Sequence, residues 1–478
     1  MTLNTRTLYW VALSYFIFNA LTQYLISGVA DLDQSEQLIA SQALLWGYGG
    51  QPPLYTWIVH AIFSITGASL MALVLFKAFL LSLTVLAILK IGELFDFSPR
   101  QQLITVLGLA LIPQIIWESQ RDLTHSVMAT TMAAWLLYFV IRTLHALTRQ
   151  NYVFIGVFTA LALLSKYTLV IFIVALLLTL AVHSTYRQRL LHPYILLSIA
   201  TAGILVTPHA IWVLDNLAQA TQATAKLQMS GGALQGVSAT LGYLVSFLTP
   251  LWLFALLLLP WQKAHYQVRF DNHSKFLIQL FLAVTVIALL IVILTQSANF
   301  KDRWFLPLLF FTPLIVAYFA QTELNKRLKS FIGITVFLAI VVAILLPART
   351  IVGQHQHLKY DRSVLPFQKH FAQWSITTAP DAIISDNKMI AGNLKQEFKK
   401  AIVMTPESHP VIAQHYQTLL VACRHADCLQ NPQIQALLQH PIATELQTSV
   451  QYIDIAQQRP HTIYWQLITL EGSEHARP

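Results

Sequence analysis

The stretch ADLDQSEQLIASQALLWGYGGQPPL, residues 30–54, follows the first long apolar segment of the chain directly. It contains three carboxylates, Asp31, Asp33 and Glu36, and no lysine or arginine. Apolar residues recur at helical spacing as far as Trp46, which predicts an amphipathic helix with an aspartate at its N-terminal cap. The glycines and the proline pair that follow end this helix. An acidic start, an interfacial helix and a stiff Gly- and Pro-containing end, all next to a membrane span, predict that this segment covers an active site.

The composition of the chain is that of a membrane protein. Of its 478 residues, 56% are hydrophobic and 11% are charged, whereas about a quarter of the residues in globular domains are charged. Many apolar runs approach the roughly 20 residues that cross a bilayer. Leu8–Val29 is too long for the apolar part of a signal peptide, so we predict it to be the first span. The net charge of +9 does not indicate nucleic acid, because basic residues of membrane proteins gather in cytoplasmic loops.

We predict a polytopic α-helical membrane protein with eleven spans. They cover roughly residues 8–27, 69–92, 102–117, 124–142, 152–165, 168–183, 193–213, 238–260, 276–295, 304–320 and 330–347. Residues 53–66 are apolar but too few to cross the bilayer, and they are predicted to form an interfacial or re-entrant helix.

The distribution of cations orients these spans. With the N-terminus in the cytoplasm, thirteen cations lie in or beside cytoplasmic loops and five lie in the opposite loops. The thirteen are Arg6, Lys90, Arg100, Arg142, Arg149, Arg187, Arg189, Lys263, Arg269, Lys275, Lys326, Arg327 and Lys329, and the five are Arg121, Lys166, Lys226, Lys301 and Arg303. The positive-inside rule then places the acidic loop and the C-terminal region on the extracytoplasmic side.

A second domain is predicted after the last span. From about Gly353 the sequence becomes more polar, which divides the chain into a transmembrane domain, 1–350, with an acidic first outer loop, 28–66, and a soluble α/β domain, 351–478. Strands are predicted at Ala382–Asp386, Ala401–Met404, Thr418–Ala422, Val450–Ile455 and Thr462–Leu470, with helices near Lys388–Phe398 and Gln433–Gln439. The two cysteines, Cys423 and Cys428, form a disulfide outside the cytoplasm or remain free thiols.

Ionisable residues at or inside membrane spans are costly and mark candidate functional sites. Asp33 and Glu36 are three residues apart and share a helix face. A second cluster lies on the loop before the fourth span, on the same side of the membrane, and consists of Glu118, Arg121, Asp122 and His125. In the alternative, non-functional interpretation, Asp33 and Glu36 belong to a solvated helix N-terminus and the second cluster is a solvated turn.

Several cations also need an explanation. Lys166, Lys301 and Arg303 oppose the positive-inside trend, and a phosphate or an anionic headgroup would favour them. Snorkelling to the membrane edge is the alternative for these three. Lys77 lies well inside the second span, where a lone charge needs a partner or a wet cavity.

The sequence has none of the familiar nucleotide or metalloenzyme motifs. It contains no Walker loop, no GxGxxG after a strand and no HExxH, and its histidines lack metal-ligand spacing. No cofactor is predicted to be required, although the outer carboxylates are able to bind a divalent metal.

With these residues in place, the chain resembles the polytopic GT-C glycosyltransferases of the dolichyl-phosphate-mannose protein mannosyltransferase type, family 39. The match is best to their bacterial branch, which includes the lipid A aminoarabinose transferase. The family's acidic outer-loop motif corresponds to Asp33-Gln34-Ser35-Glu36, followed by Ser41-Gln42, Gly47-Tyr48 and Gln51-Pro52-Pro53-Leu54. Its second acidic residue corresponds to Asp122. Further matches are Leu164-Ser165-Lys166-Tyr167, Thr207-Pro208-His209 through Trp212 and Asn216, and Arg303-Trp304-Phe305-Leu306-Pro307.

Two positions depart from the family pattern. Gln34 stands where the family has a Glu after its Asp, which leaves Glu36 or Asp31 to substitute. Gln51 stands where the aminoarabinose transferase has a Lys before its proline pair, which puts that phosphate contact in doubt.

The resemblance implies an inverting glycosyltransferase of the inner membrane that acts on the extracytoplasmic face. A polyprenyl-phosphate sugar would be the donor, and a lipid, glycan or protein of the cell envelope the acceptor. Asp33 would deprotonate an acceptor hydroxyl, or position the reactants if the acceptor is a phosphate. Asp122 and Glu36 complete the catalytic candidates, and Lys166 and Arg303 would hold the departing phosphate. The remaining substrate-binding candidates are Tyr167, Lys301, Arg121, His125, Lys77, Tyr48 and Gln51.

Two other functions compete with this interpretation. In a polyprenyl-lipid flippase or transporter, Lys77 and the acidic loops would line a path, but the sequence shows no inverted repeat. A non-catalytic scaffold of an envelope complex would leave Asp33 and Asp122 without a role.

Overall fold

The computed structural model of the chain describes residues 4–222, 232–258, 270–298, 300–320, 325–352, 376, 378–407, 416–438, 446, 448–453 and 460–469. Some predicted features lie outside the described residues, namely the cations Lys226, Lys263 and Arg269 and the element ends at 259–260, 439, 454–455 and 470.

The described transmembrane part is built of helices joined by short turns and loops. In chain order, the helices are α1 (Thr5–Ser27), α2 (Leu32–Ala40), α3 (Leu54–Thr66), α4 (Leu70–Leu94), α5 (Pro99–Ala110), a π-helical turn (Gln114–Glu118), α6 (Ser119–Arg121), α7 (Thr124–His145), α8 (Arg149–Leu163), α9 (Leu169–Val182), α10 (Ser184–Leu190), α11 (Ile195–Asp215), α12 (Leu217–Ala220), α13 (Ala233–Ala255), α14 (Asn272–Thr295), α15 (Leu306–Leu309), α16 (Thr312–Phe319) and α17 (Lys326–Val352).

The membrane-spanning capacity of these helices supports the predicted class. Within the described residues, six helices are long and apolar enough to cross a bilayer, or up to eight if each of two bent pairs forms one span. Each predicted span coincides with a helix or with a pair of short helices, and α3 coincides with the predicted interfacial segment. The polytopic helical fold is therefore confirmed, while the count of eleven spans stays a prediction.

The chain divides into two compact units. The first unit comprises Met1–Phe18, Trp46–Tyr55 and Lys77–Ala343, and the second comprises Asn19–Leu45, Thr56–Phe76 and Ile344–Pro478. The acidic helix α2 is thus grouped with the C-terminal strands. The predicted domains, 1–350 and 351–478, stay a prediction.

In the first unit, α8 and α11 cross in close contact. A Cβ atom on Gly156 would lie 2.5 Å from the carbonyl oxygen of Ser198 and 2.8 Å from Cβ of Thr201. The Ser198 hydroxyl also donates a 2.6 Å hydrogen bond to the carbonyl of Tyr152. Glycine at position 156 is therefore what allows the two backbones to approach.

This crossing gives a stability test. Gly156→Ala should lower the free energy of unfolding by about 1–3 kcal/mol, because the added methyl group overpacks the contact. Gly203→Ala on α11 is the matched control, since no atom of the described residues lies within 4 Å of the added Cβ. Melting temperatures in detergent should fall for Gly156→Ala only, and equal values for the two variants would contradict the packing argument.

The second unit contains a five-stranded sheet. Its strands are β1 (Ala382–Ile384), β2 (Ile402–Met404), β3 (Thr418–Cys423), β4 (Thr448–Ile453) and β5 (Pro460–Thr469). Their order is β2-β1-β3-β5-β4. β1 runs parallel to β2 and β3, and β5 runs antiparallel to β3 and β4.

The sheet separates two apolar layers because successive strand residues point to opposite faces. Ile383 packs on one face with residues of helix α18 (Lys388–Glu397), which connects β1 to β2. Ile384 packs on the other face, near the short helix α19 (Pro432–Gln435). The predicted strands and the helix near Lys388–Phe398 overlap the observed ones, whereas the helix predicted near Gln433–Gln439 ends earlier, at Gln435.

The two cysteines are joined. Cys423 at the end of β3 and Cys428 form a disulfide, with their Cα atoms 6.3 Å apart. Both are buried. Of the two alternatives that the sequence left open, the structure has the disulfide.

Candidate active site

The three carboxylates of the first outer loop, Asp31, Asp33 and Glu36, differ in their surroundings. Asp31 is the N-cap of α2, and its side chain accepts a 2.8 Å hydrogen bond from the backbone N–H of Gln34. The Gln34 side chain accepts in return from the Asp31 N–H at 3.0 Å, which completes a capping box. The residue that departs from the family motif therefore has a structural task. Asp31 is likewise occupied at the helix start.

Glu36 forms an ion pair in the second unit. Lys388 of α18 donates to Glu36 at 2.9 Å and also contacts Glu407. Burial alone would lower the pKa of Lys388, but hydrogen bonds and attraction from Glu407 and Glu36 outweigh it and raise the pKa. The ammonium group thus stays charged at neutral pH, and Glu36 is held by it.

Asp33 lies on another face of α2. At about 100° per residue, its side chain points roughly opposite to that of Ser35, which is fully buried. Gln37, one turn after Asp33, accepts a 3.0 Å hydrogen bond from the Thr56 hydroxyl. Asp33 itself is only half-buried.

In the first unit, the chain breaks its helical course before α7. The π-helical turn Gln114–Glu118 and α6 lead to Asp122, whose backbone is extended, and Leu123 has a left-handed φ of +67°. Such a conformation costs of the order of 1–3 kcal/mol for a residue other than glycine. π-Helical turns and left-handed residues of this kind are frequent at functional sites.

Several charged groups lie close together where the helical course is interrupted before α7. Lys77 of α4, only 4% exposed, donates to the carbonyl oxygen of Asp122 at 3.4 Å. Arg121 lies 3.6 Å from the Asp122 carboxylate and 3.4 Å from Glu118. The buried ammonium group therefore has a hydrogen-bonding partner in the backbone of the second acidic candidate.

The first turn of α7 extends this cluster. The ring of His125 lies 5.4 Å from that of Tyr55, which is fully buried. Lys166 donates a 2.7 Å hydrogen bond to the Ser126 hydroxyl. Lys166 is half-buried in the turn between α8 and α9, so its charge is held beside α7.

Three aromatic rings stack next to the turn between α8 and α9. His209 of α11 lies between Tyr167 and Trp212, with ring centroids 5.9 and 5.8 Å away and nearly parallel planes. Its Nδ1 contacts the carbonyl of Trp46 at 2.6 Å, and its Nε2 contacts the Tyr167 hydroxyl at 3.2 Å. A carbonyl only accepts, so Nδ1 carries the hydrogen, and in the neutral ring Nε2 accepts from Tyr167. Burial raises the pKa of Tyr167 to about 12, which keeps this phenol protonated.

The exit of the first outer loop forms a tight turn. Tyr48 and Gln51 make an isolated β-bridge, and Gly49 between them has a φ of +68°. A Cβ on Gly47 would lie only 2.1 Å from a ring carbon of Trp212, so this glycine lets the indole cover the backbone. The N–H of Leu54 then donates to the carbonyl of Leu164 at 2.9 Å.

Together, four segments of the first unit close a ring of contacts. They are residues 46–55, 121–126, 165–168 and 209–212, and we call them the contact ring. Seven predicted site residues belong to it, and Lys77 is bonded to it. The seven are Tyr48, Gln51, Arg121, Asp122, His125, Lys166 and Tyr167.

Lys301 and Arg303 join the first unit through their neighbour. Asp302 accepts a 2.9 Å hydrogen bond from the Gln114 side chain and another from the Arg303 N–H at 2.7 Å. Lys301 is half-buried and Arg303 exposed. The structure thus links this cation pair to the π-helical turn that precedes Asp122.

Several contributors to these contacts were not predicted as site residues, among them Gln114, Ser126, His209 and Asp302. His209 stands inside a segment that resembles the family, but the sequence alone gave it no predicted role. The other three carry no local signal, because their partners are 188 and 40 residues away.

No group of three or more His, Cys, Asp or Glu residues in the described part of the chain is arranged to hold a metal ion. That the reaction requires no metal stays a prediction from the sequence.

Comparisons with known proteins agree on the class. Residues 50–212 match the family described as dolichyl-phosphate-mannose-protein mannosyltransferase. Two proteins of Rhizobium johnstonii, the lipopolysaccharide core galacturonosyltransferases RgtA and RgtB, are each 29% identical to the chain. The alignments cover 84% and 87% of this chain and 83% and 88% of the relatives.

Among solved structures, ArnT from Cupriavidus metallidurans bound to undecaprenyl phosphate superposes with a TM-score of 0.61 at 12% identity, over 96% of this chain and 97% of ArnT. Fold and relatives define an integral-membrane glycosyltransferase with the GT-C fold. The similarity of residues 50–212 to the dolichyl-phosphate-mannose-protein mannosyltransferases agrees with the resemblance predicted from the motifs.

The aromatic stack gives a test of the contact ring. Tyr167→Phe should lower the free energy of unfolding by about 1 kcal/mol or somewhat more, because it leaves the buried Nε2 of His209 without its donor. Tyr243→Phe on α13 removes the same atom from a hydroxyl that has no hydrogen bond within the described residues, and it should leave the melting temperature unchanged. Equal melting temperatures for all three proteins would contradict the assigned hydrogen bond.

Proposed function

We propose that this enzyme transfers a sugar from a polyprenyl-phosphate donor to a lipopolysaccharide-type acceptor in the cell envelope. The observation that carries the proposal is the similarity to two lipopolysaccharide core galacturonosyltransferases over more than four fifths of both chains. The fold shared with ArnT, which was solved with undecaprenyl phosphate, supports the lipid donor. A uronic acid is the sugar to test first.

The proposed chemistry is a single displacement at the anomeric carbon. An acceptor hydroxyl oxygen forms the new bond to that carbon, while the bond to the donor phosphate breaks from the opposite side, so the configuration inverts. The acceptor proton passes to a base, and the lipid phosphate leaves as an anion. Asp33 is proposed as the base because it matches the family's first acidic residue.

The cations of the first unit are proposed to act on the phosphate. Lys166 and Arg303 would stabilise the negative charge that builds on the leaving group. Asp122, held beside Lys77 and Arg121, would support the transfer. The remaining candidates, Lys301, His125, Tyr167, Tyr48 and Gln51, would shape the donor site.

The inner membrane is the proposed location, with the N-terminus in the cytoplasm and the C-terminal strands in the periplasm. The excess of cations in one set of loops supports this orientation. The donor's lipid tail explains why the enzyme is embedded in a bilayer.

The base assignment is tested by substitution. Asp33→Asn should lower transfer at least about 100-fold, because the amide cannot take the acceptor proton. Asp427→Asn, at an exposed position of the same unit, is the matched control and should keep wild-type activity. Glu36→Gln should lose much less than Asp33→Asn, since it breaks only the pair with Lys388.

The assay uses purified protein with radiolabelled polyprenyl-phosphate sugars and an envelope extract. Label should enter the lipid or glycan fraction only when Asp33 is intact. Full transfer by Asp33→Asn would overturn the assignment of the base. Label that crosses the bilayer of proteoliposomes without transfer would instead favour a flippase.

The orientation is tested by thiol labelling. The native cysteines are in a disulfide, so a single introduced cysteine reports its own side of the membrane. Glu397→Cys in the second unit should react with a membrane-impermeant maleimide on spheroplasts. Gln150→Cys at the start of α8 should react only after permeabilisation, and the reverse pattern would refute the orientation.

A further inference from the structure

We propose that the C-terminal sheet domain is a positioning device for the reaction: through Gln42, Gly392 and Asn393 it sets the place of helix α2 and so of Asp33. This inference rests on the proposed function, in which Asp33 is the base. The contacts that carry it all lie within the second unit.

The first contact fixes the start of α2. The Asn393 amide bonds both polar groups of Ala30, accepting from its N–H at 2.9 Å and donating to its carbonyl at 3.0 Å. Asn393 also donates to the carbonyl of Met389 at 2.8 Å and accepts from Gln396 at 3.1 Å. Ala30 is completely buried. The amide therefore uses its full bonding capacity to hold the residue just before the cap of α2.

The second contact fixes the residues that follow α2. The Gln42 side chain donates to the carbonyl of Val403 at 2.9 Å and accepts from its N–H at 2.8 Å. Val403 lies in β2, one of the two edge strands of the described sheet. The amide occupies the place of a neighbouring strand, which satisfies a backbone edge that water or another chain would otherwise pair with.

Between these two contacts, α2 and α18 approach closely at Gly392, which has no side chain. A Cβ on Gly392 would lie 2.5 Å from both Cα and Cβ of Ser35. Ile39, one turn further, belongs to the same apolar core as Ile383 and Leu394. The face of α2 that carries Ser35 and Ile39 is thus built into the sheet domain.

Asp33 lies about 200° around the helix from Ser35, so its side chain lies off the docked face while its backbone is fixed by that docking. A displacement of α2 by a fraction of an ångström would be passed on to Asp33. Small misplacements of a reacting group cost large factors in rate, because the reacting atoms must meet at near-contact distance.

The test compares two glycine substitutions. Gly392→Ala adds a methyl group against the Ser35 backbone and should lower kcat about tenfold or more. The KM for the donor should change less than about threefold, as should the affinity for polyprenyl phosphate, because α2 is moved rather than unfolded. Gly242→Ala on α13, where no described atom lies within 4 Å, is the matched control and should keep the wild-type kcat.

A second variant covers the case in which Gly392→Ala does not give a monodisperse protein. Gln42→Glu keeps the size of the side chain and the acceptor for the Val403 N–H but cannot donate to its carbonyl. It should lower kcat in the same way, with little change in KM.

The outcomes separate the two proposals. Wild-type kcat in the purified variant, or an increase in KM alone, would overturn the positioning role while leaving the transfer reaction in place. Absence of transfer by the wild-type protein with every donor would overturn the proposed function, and the positioning role with it.

Discussion

An ammonium group buried in an apolar helix bundle needs polar partners, and the first unit is arranged around one such group. Removing an ion from water without compensation costs several kcal/mol, and Lys77 is almost completely buried in α4. The carbonyl of Asp122 is available to it only because the chain leaves its helical course there, with Leu123 in a left-handed conformation. The same break starts α7 and delivers His125 and Ser126 to the contact ring. One charge is thus coupled to the backbone that presents the second acidic residue.

Much of the fold follows from local sequence. The apolar runs predicted the helices, the alternating segments predicted the strands, and the acidic start of α2 predicted a cap. Asp31 and Gln34 even form a capping box whose spacing is visible in the sequence. These features depend on residues a few positions apart, which is why periodicity and capping rules identify them.

The candidate site could be predicted only in part from local sequence. The motifs indicated which residues to consider, but not that Asp31 and Glu36 have other partners. Glu36 pairs with Lys388, which is 352 residues away, and no helical or strand period reports such a contact. His209 is a similar case, because its stacking on Tyr167 joins residues 42 positions apart. Long-range pairing depends on how helices and strands pack, and it cannot be predicted from the local patterns of a single sequence.

The docking of α2 has a consequence for the order of events during synthesis. Ala30 and Asn393 are separated by 363 residues, and Gln42 and Val403 by 361. The ribosome therefore makes every helix of the first unit before the partners of α2 exist. Throughout that time, the segment that carries Asp33 lacks the surface that buries Ser35 and Ile39. Its final packing is one of the last steps of folding, so the proposed base takes its place only in a chain whose sheet domain has formed.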